Sequence, residues 1–264
     1  MLTAILIAAA VVLVLSILIG VLLGVVAEKF KVETDEREPL VRDCLAGSNC
    51  GGCGFAGCDA YAHAIVAEGA DPGLCPASNA AQIGEIMGVS VSTGPKKVAF
   101  VRCSGTCTKT NDNYQYRDIT DCRIAYLAPG HGSKKCAFGC LGFGSCAKVC
   151  PFDAIRIVDG LAVVDKEKCQ ACGRCVAACP NHLIEIVPYE ASYVVRCSSR
   201  VKGKDVRNAC KDGCLGCGLC ARVCETGAIS LDGNLAHIDQ DKCIGCGKCA
   251  EKCPSKIIVK RENR

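Results

Sequence analysis

One cysteine run occurs twice in this chain at a fixed distance, and that repeat limits the fold more than any other feature. Cys169-x2-Cys172-x2-Cys175-x3-Cys179-Pro180 returns 74 residues later as Cys243-x2-Cys246-x2-Cys249-x3-Cys253-Pro254. The same offset carries Cys136 onto Cys210, Cys140 onto Cys214, Cys146 onto Cys220 and Cys150 onto Cys224. Flanking residues obey it as well: Asp165 maps to Asp239, Lys168 to Lys242, and Ala154-Ile155 to Ala228-Ile229. Self-similarity on this scale marks a supersecondary unit used more than once. The alternations Ile155-Arg156-Ile157 and Ile184-Glu185-Ile186 predict short β-strands, and the cysteine runs predict short helical turns. The expected fold class is therefore α+β, with one module over residues 96–190, which carries an insertion, and its copy over residues 191–264.

Cysteine makes up 26 of the 264 residues. In a short secreted chain such a density signals a disulfide scaffold, but a chain of this length can bury an ordinary core without staples. Aromatic residues are only 5% and tryptophan is absent, so large rings do not build that core. The spacing supplies another use for the thiols. Each run with its trailing proline is the bacterial ferredoxin pattern, in which three close thiolates wrap one four-iron cubane and the fourth reaches the neighbouring cluster. Applied to the second module, this crossing rule groups Cys214, Cys217, Cys220 and Cys253, and then Cys224, Cys243, Cys246 and Cys249. In the first module Phe143 occupies the place of Cys217. Cys136 lies just upstream and offers a replacement, giving Cys136, Cys140, Cys146 and Cys179, beside Cys150, Cys169, Cys172 and Cys175. A three-ligand cluster with an open iron is the alternative. Glu225 stands where the other runs have proline, and a carboxylate there should push a nearby potential downward.

A separate motif, Cys50-x2-Cys53-x4-Cys58-x16-Cys75-Pro76, surrounds the glycine-rich stretch "CGGCGFAGC". It suits one more four-iron cluster, with structural zinc as the competitor because four cysteines also satisfy a tetrahedral site. The expected cofactors are thus five [4Fe-4S] clusters on 20 cysteines. Cys44, Cys103, Cys107, Cys122, Cys197 and Cys210 remain. Cys103, Cys107 and Cys122 could supply a further metal site or be plain buried thiols; Cys210 reads as the unused counterpart of Cys136. His63, His131, His182 and His237 form no cluster.

Residues 2–27 carry no charge and are rich in Leu, Ile and Val. As a helix they would extend about 39 Å, enough to cross a hydrocarbon core of about 30 Å. A cleaved signal peptide would need a basic start, a shorter apolar run and a small-residue cleavage site, which are missing. Lys29, Lys31, Arg37 and Arg42 follow the run, so the positive-inside rule places the remainder of the chain in the cytoplasm, where disulfides are disfavoured. Residues 28–43 read as a charged linker, and 44–95 as the N-proximal cluster domain and its connector, with a short helix expected over 80–87.

No P-loop, no strand–G-x-G-x-x-G–helix unit and no nucleophile–base arrangement stands out, and basic residues do not cluster as a nucleic-acid face requires. Redox centres without a site for an organic substrate, flavin or nicotinamide describe an electron conduit. The order of parts (anchor, C-x2-C-x4-C-x16-C-P module, ferredoxin domain) resembles the B subunits of the Rnf complex over nearly the whole chain; the second ferredoxin module is similar to the longer forms of that family. The resemblance implies an electron-transfer subunit of an ion-translocating ferredoxin:NAD oxidoreductase in a prokaryotic cell membrane. It implies soluble ferredoxin and the membrane and flavin subunits as partners, with nicotinamide, flavins and ion path residing in those partners. An iron–sulfur subunit of a hydrogenase or quinone-linked enzyme is the alternative, and a non-redox zinc scaffold is another. An oxidised cluster with four thiolates carries about −2, so five would turn the formal charge of +4 into about −6.

Overall fold

The computed structural model describes residues 2–29, 35–91 and 94–261. Helix α1 runs Leu2–Lys29, 28 residues, or about 42 Å at 1.5 Å per residue. Its described Leu, Ile and Val side chains, Leu13, Ile17 and Leu22 among them, are all exposed. Among the described residues no helix is long and apolar enough to cross a membrane. The longest stretch of α1 with described side chains is residues 12–26, which as a helix covers about 22 Å.

The N-proximal unit starts earlier than the sequence predicts. Residues 37–43, expected as part of a linker, form α2 (Arg37–Asp43). Pro39 falls in its first turn, where the missing N–H costs nothing, and Val41 is fully buried. The side chain of Arg42 pairs with Asp59 at 2.5 Å, tying α2 to α3 (Cys58–Ala67). Helix α4 occupies Ala80–Met87, as expected, with Asn79 as its N-cap and left-handed Gly88 at its end. Val41, Leu45, Tyr61, Ile65 and Ile83 form one small core with Cys58 and Cys75.

The first ferredoxin-type module comprises β1 (Lys97–Val101), α5 (Cys122–Leu127), α6 (Ser145–Lys148), β2 (Ile155–Val158), β3 (Leu161–Val164), α7 (Arg174–Ala178) and β4 (Ile184–Pro188). Its copy comprises β5 (Tyr193–Val195), α8 (Gly203–Ala209), α9 (Leu219–Arg222), β6 (Ile229–Asp232), β7 (Leu235–Ile238), α10 (Lys248–Lys252) and β8 (Ile258–Lys260). The strands make four two-stranded antiparallel sheets: β1 with β4, β2 with β3, β5 with β8 and β6 with β7. Both predicted strands are present, as β2 and β4.

The 74-residue offset governs the backbone as well as the cysteines. Ile155 pairs with Val164 and Ile229 with Ile238, at corresponding places in the two hairpins. A methyl group at Gly142 would lie 2.7 Å from the Gly160 carbonyl oxygen, and one at Gly216 would lie 2.8 Å from that of Asn234. Both glycines have positive φ, so the turn needs them for conformation and for space. Isolated two-stranded sheets are marginal on their own. Here they pack on cores that combine aliphatic side chains with cysteines. Val98, Val101, Leu161 and Leu183 contribute in one module, and Val195, Leu235, Ile238 and Ile257 in the other.

Candidate metal centres

The glycine-rich loops and short helices converge their thiols on small apolar cavities. Cys150, Cys169, Cys172 and Cys175 line one, together with Ala99, Phe152, Ile155 and Ile186. This is the set the crossing rule predicts. Backbone N–H groups point at its sulfurs: Ala99 donates to Cys169 at 3.3 Å and Ala154 to Cys150 at 3.4 Å. Such donors stabilise the thiolate form and tune a bound cluster.

The second cavity of this module differs from expectation. Cys140, Cys146 and Cys179 line it, but their fourth partner is Cys122 and not Cys136. Cys122 starts α5, where Asp121 caps the helix through the Arg123 N–H at 2.7 Å. The Cys122 N–H donates to Ser145 Oγ at 2.8 Å, and that hydroxyl donates to Asp121 Oδ2 at 2.8 Å. Phe143, standing where the copy has Cys217, packs with Cys122, Ala125 and Leu141. The predicted replacement Cys136 instead lines a separate cavity at the module junction. The reason is the insertion: Cys103 and Cys136 are 33 positions apart, against 13 between Cys197 and Cys210, and the additional chain contains Cys122.

In the second module the Cys220 thiol lies in the field of Cys214, Cys253 and Cys217, and the Cys249 thiol in that of Cys243 and Cys246. Cys224 packs on the same core as Cys243 and Cys249. In the N-proximal unit Cys75 lies beside Cys53, Cys50 and Cys58. The grouping of Cys103, Cys107 and Cys122 is not formed: Cys103 lines the junction cavity, Cys122 the cavity just described, and Cys107 is exposed. Glu225 is ion-paired with Lys248.

Burial, followed by the field of neighbouring thiols, pushes Cys146 and Cys175 up to about 12; burial pushes Cys220 up to about 11. Such thiols keep their protons near neutral pH unless a cation replaces them. Among the described residues no three His, Cys, Asp or Glu side chains gather closely enough for a single metal ion. Zinc, bound at about 2.3 Å, would draw its sulfurs to about 3.8 Å of one another. Four thiols spread around an apolar pocket, with N–H groups turned toward them, fit a polynuclear iron–sulfur cluster.

Comparison with known proteins agrees. Residues 45–77 match a family described as a putative Fe-S cluster, and residues 168–228 and 213–257 match the 4Fe-4S dicluster domain. Residues 143–190 match the LdpA Fe-S cluster-binding domain. Fold and centres together define an iron–sulfur electron-transfer protein built from paired ferredoxin-type modules. The chain is 46% identical over 243 residues to the B subunit of the Na(+)-translocating ferredoxin:NAD(+) oxidoreductase complex of Acetobacterium woodii, covering 90% of this chain and 73% of that one. It is 40% identical to the B subunit of the ion-translocating oxidoreductase complex of Methanosarcina acetivorans, over 92% of this chain and 93% of that one. With the B subunit of the proton-translocating ferredoxin:NAD(+) oxidoreductase complex of Clostridium ljungdahlii it shares 42% identity, over 86% and 81%. The chain belongs to the family of B subunits of ion-translocating ferredoxin:NAD(+) oxidoreductase (Rnf) complexes.

Proposed function

We propose that this chain is the multi-centre electron relay of such a complex, accepting electrons from reduced soluble ferredoxin and passing them toward membrane and flavin partner subunits. The observation that carries this reading is the adjacency of the thiol groups. The N-proximal loop lies against Cys172, for a methyl at Gly52 would sit 2.9 Å from its carbonyl oxygen, and Cys50 contributes to the field at the Cys172 thiol. Cys175 in turn lies in the field at Cys146, joining the two centres of the first module.

The ligand sets follow the geometry: Cys50, Cys53, Cys58 and Cys75; Cys150, Cys169, Cys172 and Cys175; Cys122, Cys140, Cys146 and Cys179; Cys214, Cys217, Cys220 and Cys253; Cys224, Cys243, Cys246 and Cys249. A bound cubane supplies one-electron chemistry. The protein's part is to present thiolates, to aim amides at sulfur and to exclude water with side chains such as Ile155, Ile184 and Leu183. Exposed Cys217 and Cys246 make the second module the face open to a soluble donor. Helix α1, 28 residues long with exposed apolar side chains, supports a single-pass anchor over residues 2–27, and the basic residues that follow it, Lys29, Lys31, Arg37 and Arg42, support centres on the cytoplasmic side. The N-proximal centre, next in sequence to that anchor, would be the donor to the membrane.

The direction is tested by replacing Cys243 and Cys246 with serine. Reduced ferredoxin should then no longer reduce the N-proximal centre, while dithionite still does. Unchanged ferredoxin-driven reduction would refute arrival at the second module.

A further inference from the structure

A buried lysine stands outside every ligand set. Lys134 is 5% exposed, an unusual place for a compact, strongly hydrated ammonium. Its Nζ donates to the carbonyl oxygens of Gly105 and Gly160, both at 2.8 Å. Two carbonyls leave one of its three N–H groups over, and neither carries a formal charge. Among the described residues Lys134 forms no ion pair. Asp159 lies in its field but accepts from the Thr108 hydroxyl at 2.9 Å. A buried ammonium without an opposite charge is costly.

The cluster loop of the first module is where that charge can come from. The Gly160 carbonyl oxygen that Lys134 holds is the atom a methyl at Gly142 would meet at 2.7 Å, so the ammonium sits one carbonyl behind Cys140-Leu141-Gly142. Gly105, its other partner, adjoins the loop from Cys103, whose sulfur accepts the Cys140 N–H at 3.4 Å. Burial, then the field of Cys103, pushes the Cys140 thiol up, while the backbone at Ala162 and Gly142 and the Lys134 ammonium pull it down. Lys134 belongs to the insertion, and its segment is pinned on both sides. The Asn113 N–H donates to the Ser133 carbonyl and the Lys135 N–H to the Asn111 carbonyl, each at 2.7 Å. The copy makes the same tie without a charge. Val101-Arg102-Cys103-Ser104 recurs as Val195-Arg196-Cys197-Ser198, and the loop after it is held to the matching hairpin turn by Asn234 Nδ2, which donates to the Arg200 carbonyl at 3.0 Å.

We propose that Lys134 is the buried counter-charge of the centre that includes Cys140, a positioning residue whose fixed charge raises the reduction potential of that centre. The inference rests on the reading of the chain as an iron–sulfur relay. A four-thiolate centre carries about −2 when oxidised and about −3 when reduced, so a cation fixed behind its loop favours the added electron. Lys134 gives up no proton and binds no iron in this role. Because the copy uses a neutral amide, the bias favours an electron on the first-module side, toward the N-proximal centre.

The test is redox titration followed by EPR on the anaerobically purified full chain, read on the signal that Cys122→Ser removes. Lys134→Met and Lys134→Gln both delete the charge, and the glutamine keeps N–H donors for a carbonyl. Each should shift the reduction equilibrium of that centre at least tenfold toward the oxidised form, about 59 mV downward for one electron. In 1 M salt the shift should persist, since buried charges are screened little. An unmoved potential, a shift in Lys134→Met alone, or a shift abolished by salt overturns the role of Lys134 and leaves the relay standing; absence of iron from the wild type overturns both. If neither variant fills the centre, Asn234→Lys decides, because it puts a cation at the matching turn of the copy. It should raise the potential of the Cys214 centre, and an unmoved one overturns the proposal.

Discussion

Gly52 and Cys172 meet backbone to backbone: a methyl at Gly52 would fall 2.9 Å from the Cys172 carbonyl oxygen and 3.2 Å from its Cβ. The closeness joins two units with separate cores, the N-proximal helices and the first ferredoxin-type module. Replacing Gly52 by valine must push them apart, at an overpacking cost of about 1–3 kcal/mol. Iron content should be unchanged, and reduction of the N-proximal centre through the remaining centres should slow at least tenfold in freeze-quench EPR. An unaltered rate would mean that the contact is not on the route.

The exchange of Cys122 for the residue missing at Phe143 gives a rescue experiment. Cys122→Ser should lose the centre that includes Cys140, about four iron atoms. Adding Phe143→Cys to that variant restores the pattern seen around Cys217, and the iron should return. Cys136→Ser should leave this centre intact. Loss of the Cys140 centre's EPR signal in Cys136→Ser would mean that Cys136 and not Cys122 completes it.

How much of this could be read in the sequence depends on the kind of residue. The paired runs, the strands at Ile155 and Ile184 and the helix at 80–87 follow from spacing and periodicity, which survive any tertiary detail. Cys122 did not, because its role depends on an insertion folding back over Phe143, and loop geometry is not periodic. The junction cysteines carried a signal that the 74-residue offset hid: Val101-Arg102-Cys103-Ser104 and its copy are 94 apart, since the insertion lies between them and the shared frame. Residues 37–43 read as a linker because four charges surround Val41, the one side chain that α2 buries.

Asp121 holds Cys122 in place through the α5 cap and Ser145. The Ser145 hydroxyl, then the Arg123 N–H, hold its carboxyl below the usual aspartate range. A group with a lowered folded pKa contributes stability above its unfolded value, about 3.9, and loses it as pH falls through the folded one. Asp121→Ala should cost about 0.5–2 kcal/mol as a lost cap. Chelators should extract iron from the Cys122 centre of this variant faster at pH 7, with the difference from wild type shrinking as pH falls through the aspartate range. A difference that grows toward acid would contradict the assignment.

Deleting residues 2–27 tests the anchor separately from the chemistry. The N-proximal core uses Val41 and Leu45 onward, so the truncated protein should keep its iron and leave the membrane fraction. Continued sedimentation with membranes after a salt wash would point to attachment through partner subunits.

Glu225 and Lys248 set the last expectation, a redox one. Glu225 follows Cys224, and a lone carboxylate there should disfavour an added electron and lower the potential of the adjoining centre. Its ion pair with Lys248, which also lies in the field of Cys246, offsets that charge. Lys248→Gln should therefore lower the potential of the Cys224 centre, and Glu225→Gln should raise it, each on the order of tens of millivolts for a unit charge several ångström away in a water-rich setting. Both side chains are exposed, so 1 M salt should suppress most of either shift, the Debye length falling to about 3 Å. Redox titrations followed by EPR measure all of this. Shifts of the same sign in the two variants would show that the pair acts through structure and not through charge.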